Sequence, residues 1–237
     1  MQLKHLRERF LTEGYLVLHD FFDRRLMDTL DLCIRQHFGP DPAFRHDQGF
    51  VEQSRAEVIP WFPQQEGSRP FDAVDDHPGL RALTTSILGT QWQTLYCLVM
   101  FSKRGPCGQA WHQDCPPDNP EAFNLNRLVY TRDITAEIGG ETVVVPGSHR
   151  RGLLPAGDPL GAFPGQVVLR PRRGTLVLVH GHTWHRVLPI RGEYRFSANY
   201  RAAPKGLTGA ITDVCVYRNM RYRFSTSSVI EDRQLTA

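Results

Sequence analysis

The run Gly174-Thr175-Leu176-Val177-Leu178-Val179-His180-Gly181-His182-Thr183-Trp184-His185 follows a turn signal, Pro-Arg-Arg-Gly at 171–174, and opens as an aliphatic and β-branched segment over 175–179. Segments of this kind, bounded by Gly and Pro, read as strands. They recur at 91–102, 109–114, 125–132, 142–145, 166–169, 194–201 and 211–217. Gly-Pro at 105–106, Pro-Pro at 116–117, Gly-Gly at 139–140 and Pro-Gly at 146–147 separate them. About eight short strands so spaced predict a jelly-roll barrel.

Upstream the periodicity changes. Leu3, Leu6, Phe10 and Leu11 have helical spacing over 3–13. Gly14 ends that helix and Tyr15–Leu18 reads as a strand. Asp23 is placed to cap a second helix whose apolar face is Leu26, Leu30, Cys33 and Ile34. A third helix is predicted over 78–88. Residues 40–75 lack periodicity and read as a long loop, a candidate lid that contributes to substrate specificity together with 115–124. Its aromatics Trp61, Phe62 and Phe71 need burial, either as a lid lining or docked on the barrel. The expectation is a mostly β (α+β) fold in one domain over 1–237, with N-terminal helices and loop (1–90) packed on one sheet of a jelly-roll core (91–217).

No apolar run reaches the roughly 18 residues that span a bilayer, and no secretory leader pattern opens the chain. These readings predict a soluble, cytoplasmic protein without a membrane partner. Five cysteines (Cys33, Cys97, Cys107, Cys115, Cys215) form no CxxC pair and predict reduced thiols. The net charge of +3 is unclustered. The short arginine runs at 170–173 and 218–223 read as solvated faces. Arg132 and Asp133, adjacent after a strand, reach the pocket mouth or form an exposed ion pair, and the pair is the preferred reading.

Trp111-His112-Gln113-Asp114 carries the chemistry. On a strand, residues i and i+2 share a face, so His112 and Asp114 converge while Gln113 points away. One imidazole and one carboxylate make two thirds of the facial triad that leaves open positions on Fe(II). The third ligand comes from His180, His182 or His185. His185 is chosen because Arg195 lies ten residues later, after a turn at 189–192. A hairpin returns Arg195 towards the metal, where its guanidinium suits the distal carboxylate of a chelating 2-oxo acid. His180 and His182 then read as packed histidines.

HxD, then Gly-Gly-Glu-Thr-Val-Val-Val-Pro-Gly-Ser-His (139–149), then the run at 174–185, then Arg195, resembles the order in phytanoyl-CoA dioxygenase-like enzymes. The opening Gly14-Tyr15-Leu16-Val17-Leu18 before an amphipathic helix is similar too. The resemblance covers roughly residues 10–205. It implies a double-stranded β-helix, Fe(II), 2-oxoglutarate and O2. It carries over His112, Asp114 and His185 as metal ligands and Arg195 as co-substrate anchor, with Gln109 and Thr142 as further 2-oxoglutarate contacts. Ser148 and His149 shape a turn. Val187 stands where many relatives have Ser, so the anchor's hydroxyl partner is missing. The implied reaction is hydroxylation or another oxidation of a small organic substrate, with release of succinate and CO2. Asp114 argues against halogenation, because halogenating relatives lack that carboxylate.

Two other readings fit fewer residues. Arg195 and Arg201, six apart, are similar to the paired arginines of nucleic-acid demethylases of the same superfamily. The interval from His185 to Arg195 is too short for them, and no nucleic-acid partner is expected. A non-catalytic cupin-like metal protein would use His180 and His182 as HxH, but lacks the Glu that should follow.

Overall fold

Residues 195–201 alternate strictly. Arg195, Ser197, Asn199 and Arg201 line a cavity, while Phe196, Ala198 and Tyr200 join the hydrophobic core on the opposite face. This is the period of a strand buried on both sides. The computed structural model describes residues 3–40, 42, 48–56, 58–105 and 107–224, and the backbone of 232–234. Parts of the predicted loop (41, 43–47 and 57) and Pro106 of the predicted turn lie outside the described residues.

In chain order the elements are α1 (Leu3–Glu13), β1 (Tyr15–Leu18), α2 (Arg24–Phe38), α3 (Gln48–Ser54), β2 (Ile59–Trp61), α4 (Asp72–Asp75), α5 (Pro78–Leu88), β3 (Trp92–Gly105), β4 (Gln109–Gln113), β5 (Leu125–Val129), β6 (Thr142–Val144), β7 (Val167–Leu169), β8 (Leu176–His180), β9 (His185–Val187), β10 (Ile190–Pro204), α6 (Gly209–Thr212), β11 (Val214–Tyr217), β12 (Met220–Arg223) and β13 (Asp232–Gln234). Two antiparallel sheets form, ordered β1-β8-β5-β10-β3-β2 and β13-β12-β11-β4-β9-β6-β7. Both sheets contribute walls to the cavity. The fold is mostly β, a jelly roll of two sheets with helices on one of them, as expected. No described helix is long and apolar enough to cross a membrane.

The helices cover the outer face of the six-stranded sheet. Leu6 and Phe10 of α1, Met27, Leu30 and Ile34 of α2, and Leu80 and Leu83 of α5 are buried in one cluster with Val99, Phe101, Leu176 and Leu178. Asp23 caps α2 as predicted, accepting from the Leu26 N–H (2.8 Å).

Three expectations change. The predicted loop holds α3, β2 and α4, which are short and lack periodicity; tertiary contacts define them. β2 pairs as an edge strand, Ile59 opposite Phe101 and Trp61 opposite Val99, an edge position where Pro60 is tolerated. Trp61 and Phe71 dock in the main core, and Phe62 is buried. Residues 211–217 split into the end of α6 and β11. Arg132 does not pair with Asp133. Arg132 Nε reaches Asp31 Oδ1 on α2 (2.5 Å), and Asp133 accepts the Arg173 backbone N–H (2.7 Å). The runs read as solvated also hold the surface together: Arg172 pairs with Asp20 (3.2 Å), Arg173 with Asp28, and Arg218 donates to the carbonyls of Pro155 and Asp158.

One ion pair ties helix to sheet. Arg127 of β5 is fully buried, and its Nη2 donates to Asp75 Oδ1 at the end of α4 (2.8 Å). Its Nε donates to the Tyr200 carbonyl (2.6 Å). Asp75→Ala leaves that guanidinium buried without its counter-charge and should cost about 3–5 kcal/mol. Urea denaturation measures this, and a loss below about 1 kcal/mol would contradict the role assigned to the pair.

His180 packs flat on Phe123 (ring centroids 3.8 Å apart, 17° between planes), with His149 on another side (4.9 Å). Burial first, then the neighbouring His182 and His149, holds its pKa down to about 2. Burial lowers His149 and His182 as well. These rings are neutral when folded, whereas an unfolded histidine takes a proton near about 6.5. Their contribution is therefore fully present above that pH and is lost as pH falls below it. His180→Asn keeps an acceptor for the His182 N–H and should flatten the acid slope of stability by up to about 1.4 kcal/mol per pH unit. Denaturation midpoints between pH 7.5 and 5.5 test this; an unchanged slope would count against it.

Candidate active site

His112 sits on β4 and Asp114 directly follows that strand. Gln113, between them, points away as its parity requires: its Nε2 donates to the His182 carbonyl (2.9 Å) and its Oε1 accepts from Leu154 N–H (2.8 Å). β9 pairs with β4 so that His185 lies opposite His112, their ring centroids 4.1 Å apart. Ligand atoms of His112, Asp114 and His185 lie within 4.8 Å of one another, and all three residues are buried. Among the described residues this is the one cluster of three or more His, Cys, Asp or Glu able to hold a metal ion.

Backbone carbonyls set the tautomers. His112 Nδ1 faces the Ala110 carbonyl (2.9 Å), and His185 Nδ1 faces the Thr183 carbonyl (2.8 Å). A carbonyl only accepts, so Nδ1 donates in both rings and Nε2 is the nitrogen turned towards the cluster. Both Nε2 atoms face the Asp114 carboxylate, at 3.9 Å for His112 and 3.2 Å for His185. Burial, reinforced by His185, holds His112 down to about 3. His112 is therefore neutral, and its approach to Asp114 is not an ion pair.

Burial alone would raise the Asp114 carboxyl, but Arg201 above all, with His185 beside it, outweighs burial and holds it well below the usual range. Arg201 Nη2 lies 2.7 Å from Oδ1, and Cys215 Sγ contacts the same oxygen (3.5 Å). Asn126 Nδ2 donates to Oδ2 (2.8 Å). Asn126 Oδ1 in turn accepts from Arg201 Nε (2.9 Å) and Asn199 Nδ2 (2.8 Å). The sequence reading did not foresee these partners of Asp114. The one signal available was parity: Arg201 shares the strand face of Arg195. Two imidazole lone pairs and a carboxylate kept ionised suit a divalent first-row ion.

The triad opens on a cavity of about 220 Å³. Arg195, Gln109, Thr142 and Val187 all line it. Arg195 is buried, and its Nε has no hydrogen-bond partner. Ser197, two residues on and also in the lining, has an unpartnered Oγ. Gln109 Nε2 donates to Tyr217 Oη (3.0 Å), and Thr142 Oγ1 shares a hydrogen bond with Tyr130 Oη (3.1 Å). The Gly-Gly turn makes room for Arg195. A Cβ on Gly140, whose φ is +70°, would stand 3.1 Å from Arg195 Cγ and 2.7 Å from Ile190 Cδ1.

His180 and His182 do not line this cavity, which removes the cupin-type HxH ligand pair. Ser148 and His149 form a turn. Ser148 Oγ accepts from Trp184 N–H (2.8 Å), and His149 Nε2 contacts the Leu11 carbonyl (3.1 Å). Cys107 lines the cavity and Cys115 is buried; neither belongs to the ligand cluster.

Comparison with known proteins gives a family. A search of curated proteins finds no match. Among solved structures, the non-heme alpha ketoglutarate dependent epimerase SnoN from nogalamycin biosynthesis has TM-score 0.66 at 20% identity, over 91% of this chain and 85% of that one. HygX from Streptomyces hygroscopicus, solved with nickel and 2-oxoglutarate bound, has TM-score 0.65 at 16% identity, over 88% of this chain and 89% of that one. At such identity the likeness is one of fold. The family model described as phytanoyl-CoA dioxygenase matches residues 10–195, a span that holds His112, Asp114 and His185 and ends on Arg195. The chain belongs to the phytanoyl-CoA dioxygenase family.

Proposed function

We propose that the protein is an Fe(II)- and 2-oxoglutarate-dependent oxygenase that hydroxylates, or otherwise oxidises, a small organic substrate. The observation that carries this reading is that the buried His112, Asp114 and His185 share one cavity with a buried arginine whose Nε lacks a partner. His112 and His185 would hold iron through Nε2, and Asp114 through its carboxylate. When bound, iron, 2-oxoglutarate and O2 supply oxidation of a C–H bond coupled to decarboxylation of the co-substrate to succinate and CO2.

Arg195 would hold the far carboxylate, since a guanidinium matches a carboxylate in shape and charge. Ser197 Oγ is placed to provide the hydroxyl that Val187 cannot. Gln109 and Thr142 would border the same space. Arg201 cancels the charge of Asp114, so the triad and its arginine are together neutral. A divalent ion there gains most from a dianionic co-ligand, which 2-oxoglutarate is.

Anaerobic titration with Fe(II) and 2-oxoglutarate should give a saturable visible charge-transfer band near one iron per chain. Asp114→Ala and His185→Ala should abolish it, while His182→Ala should keep it. If His182→Ala removes the band and His185→Ala does not, the ligand set is wrong. Arg195→Ala should retain iron and weaken 2-oxoglutarate binding about ten- to a hundredfold. Unchanged co-substrate affinity would rule out the anchor. Mass spectrometry of turned-over substrate should find one added oxygen or two lost hydrogens. An unchanged mass with inverted stereochemistry would instead indicate an epimerase, the activity named for SnoN.

A further inference from the structure

A second chamber, about 110 Å³, opens beside the metal ligands. It shares Asp114, Arg201 and Gln109 with the main cavity, but Arg195 is not in its lining. Its walls include Phe50, Phe62, Tyr96, Tyr217, Tyr222 and Phe224. These rings pack on one another: Phe62 on Tyr96 edge-on (5.6 Å, 84°), Phe50 on Tyr222 (4.6 Å), and Tyr222 parallel to Phe224 (6.1 Å, 19°). Tyr217 also stacks on the ring of His112 (5.1 Å, 24°). The chamber thus runs from Asp114 into an aromatic box.

Two lining groups lack partners. Tyr96 Oη and Arg201 Nη1 are buried and make no hydrogen bond. Stranding such donors is costly, about 1–3 kcal/mol each, so a purely apolar filling does not explain them. The guanidinium of Arg201 is already paired with Asp114, and among the described residues the chamber has no other cationic lining residue. That excludes a phosphate-rich group and favours one acceptor oxygen on an apolar body. A cavity of roughly 150 Å³ accepts benzene, and this chamber shares six lining residues with the larger cavity beside it, into which the ring could extend.

We propose that the chamber receives the substrate, as a six-membered ring, aromatic or alicyclic, bearing a carbonyl or carboxylate oxygen that Tyr96 Oη and Arg201 Nη1 share. This rests on the oxygenase reading above, which places the co-substrate on the Arg195 side and leaves the chamber free. The ring's edge would then lie next to Asp114 and His112, where oxidation takes place.

The test uses 4-fluorobenzoate as probe, read by fluorine NMR on the full chain, metal-free and with Fe(II) and 2-oxoglutarate under nitrogen. It should bind in both, about tenfold more tightly than fluorobenzene, and myo-inositol should not displace it. Tyr96→Phe should weaken 4-fluorobenzoate about fivefold and leave fluorobenzene unchanged. Ala56→Leu, which fills the chamber wall, should weaken both, and Arg195→Ala neither. Failure to bind while the iron–2-oxoglutarate band forms would overturn the substrate class and leave the oxygenase reading standing. Binding lost in Arg195→Ala and indifferent to Ala56→Leu would also overturn it. Binding in the chamber without any iron–2-oxoglutarate band would support the site and sink the oxygenase reading instead.

Discussion

A buried carboxylate has to be made to stay ionised, and most of this site is organised around doing so for Asp114. Arg201 supplies the counter-charge at 2.7 Å, and Asn126 fills the other oxygen at 2.8 Å. Without such partners the desolvation penalty would neutralise the group. A neutral carboxylic acid is a poor metal ligand, so these contacts set the donor chemistry as well as the geometry. With Cys215 Sγ at the first oxygen, the contacts come from three strands, β5, β10 and β11, so the site exists only once both sheets have closed on each other.

Strand register does the positioning. On β10 the residues 195, 197, 199 and 201 face the cavity, and 196, 198 and 200 face the helices. A slip of one residue would put Arg195 and Arg201 into the hydrophobic core and Phe196 and Tyr200 at the metal site. The helices oppose that slip, because Phe196, Ala198 and Tyr200 pack in the same cluster as Phe10, Leu30 and Leu80. The buried apolar face outside therefore fixes the polar face inside. Ion pairs such as Arg127–Asp75 lock the same layers together.

The legible features were local ones. Strand parity separates His112 and Asp114 from Gln113, and turn signals mark out strands from a few adjacent residues. The helices were legible through periodicity and the Asp23 cap. What escaped was set by distant partners. Arg201 lies 87 positions after Asp114, and nothing local marks it as the residue that meets the carboxylate. α3, β2 and α4 are too short to carry a period, and they form because Trp61 and Phe71 find burial elsewhere. The supposed Arg132–Asp133 pair failed because each residue met a partner distant in sequence, Arg132 the Asp31 carboxylate of α2 and Asp133 the Arg173 backbone N–H.

The histidines show why residue type alone underdetermines a metal site. His180, His182 and His185 lie within six positions, and spacing had to choose between them. The backbone group facing Nδ1 gives a physical criterion. At His112 and His185 it is a carbonyl, which draws the proton to Nδ1 and frees Nε2 for a metal. At His180 it is the His182 N–H, 3.1 Å away, which occupies the Nδ1 lone pair. The neutral ring must then carry its proton on Nε2, leaving neither nitrogen free to coordinate. Stacked on Phe123 and kept neutral by burial, His180 serves as a flat core ring. His180 and His185 thus differ in what the backbone presents to Nδ1, a hydrogen at the first and an oxygen at the second.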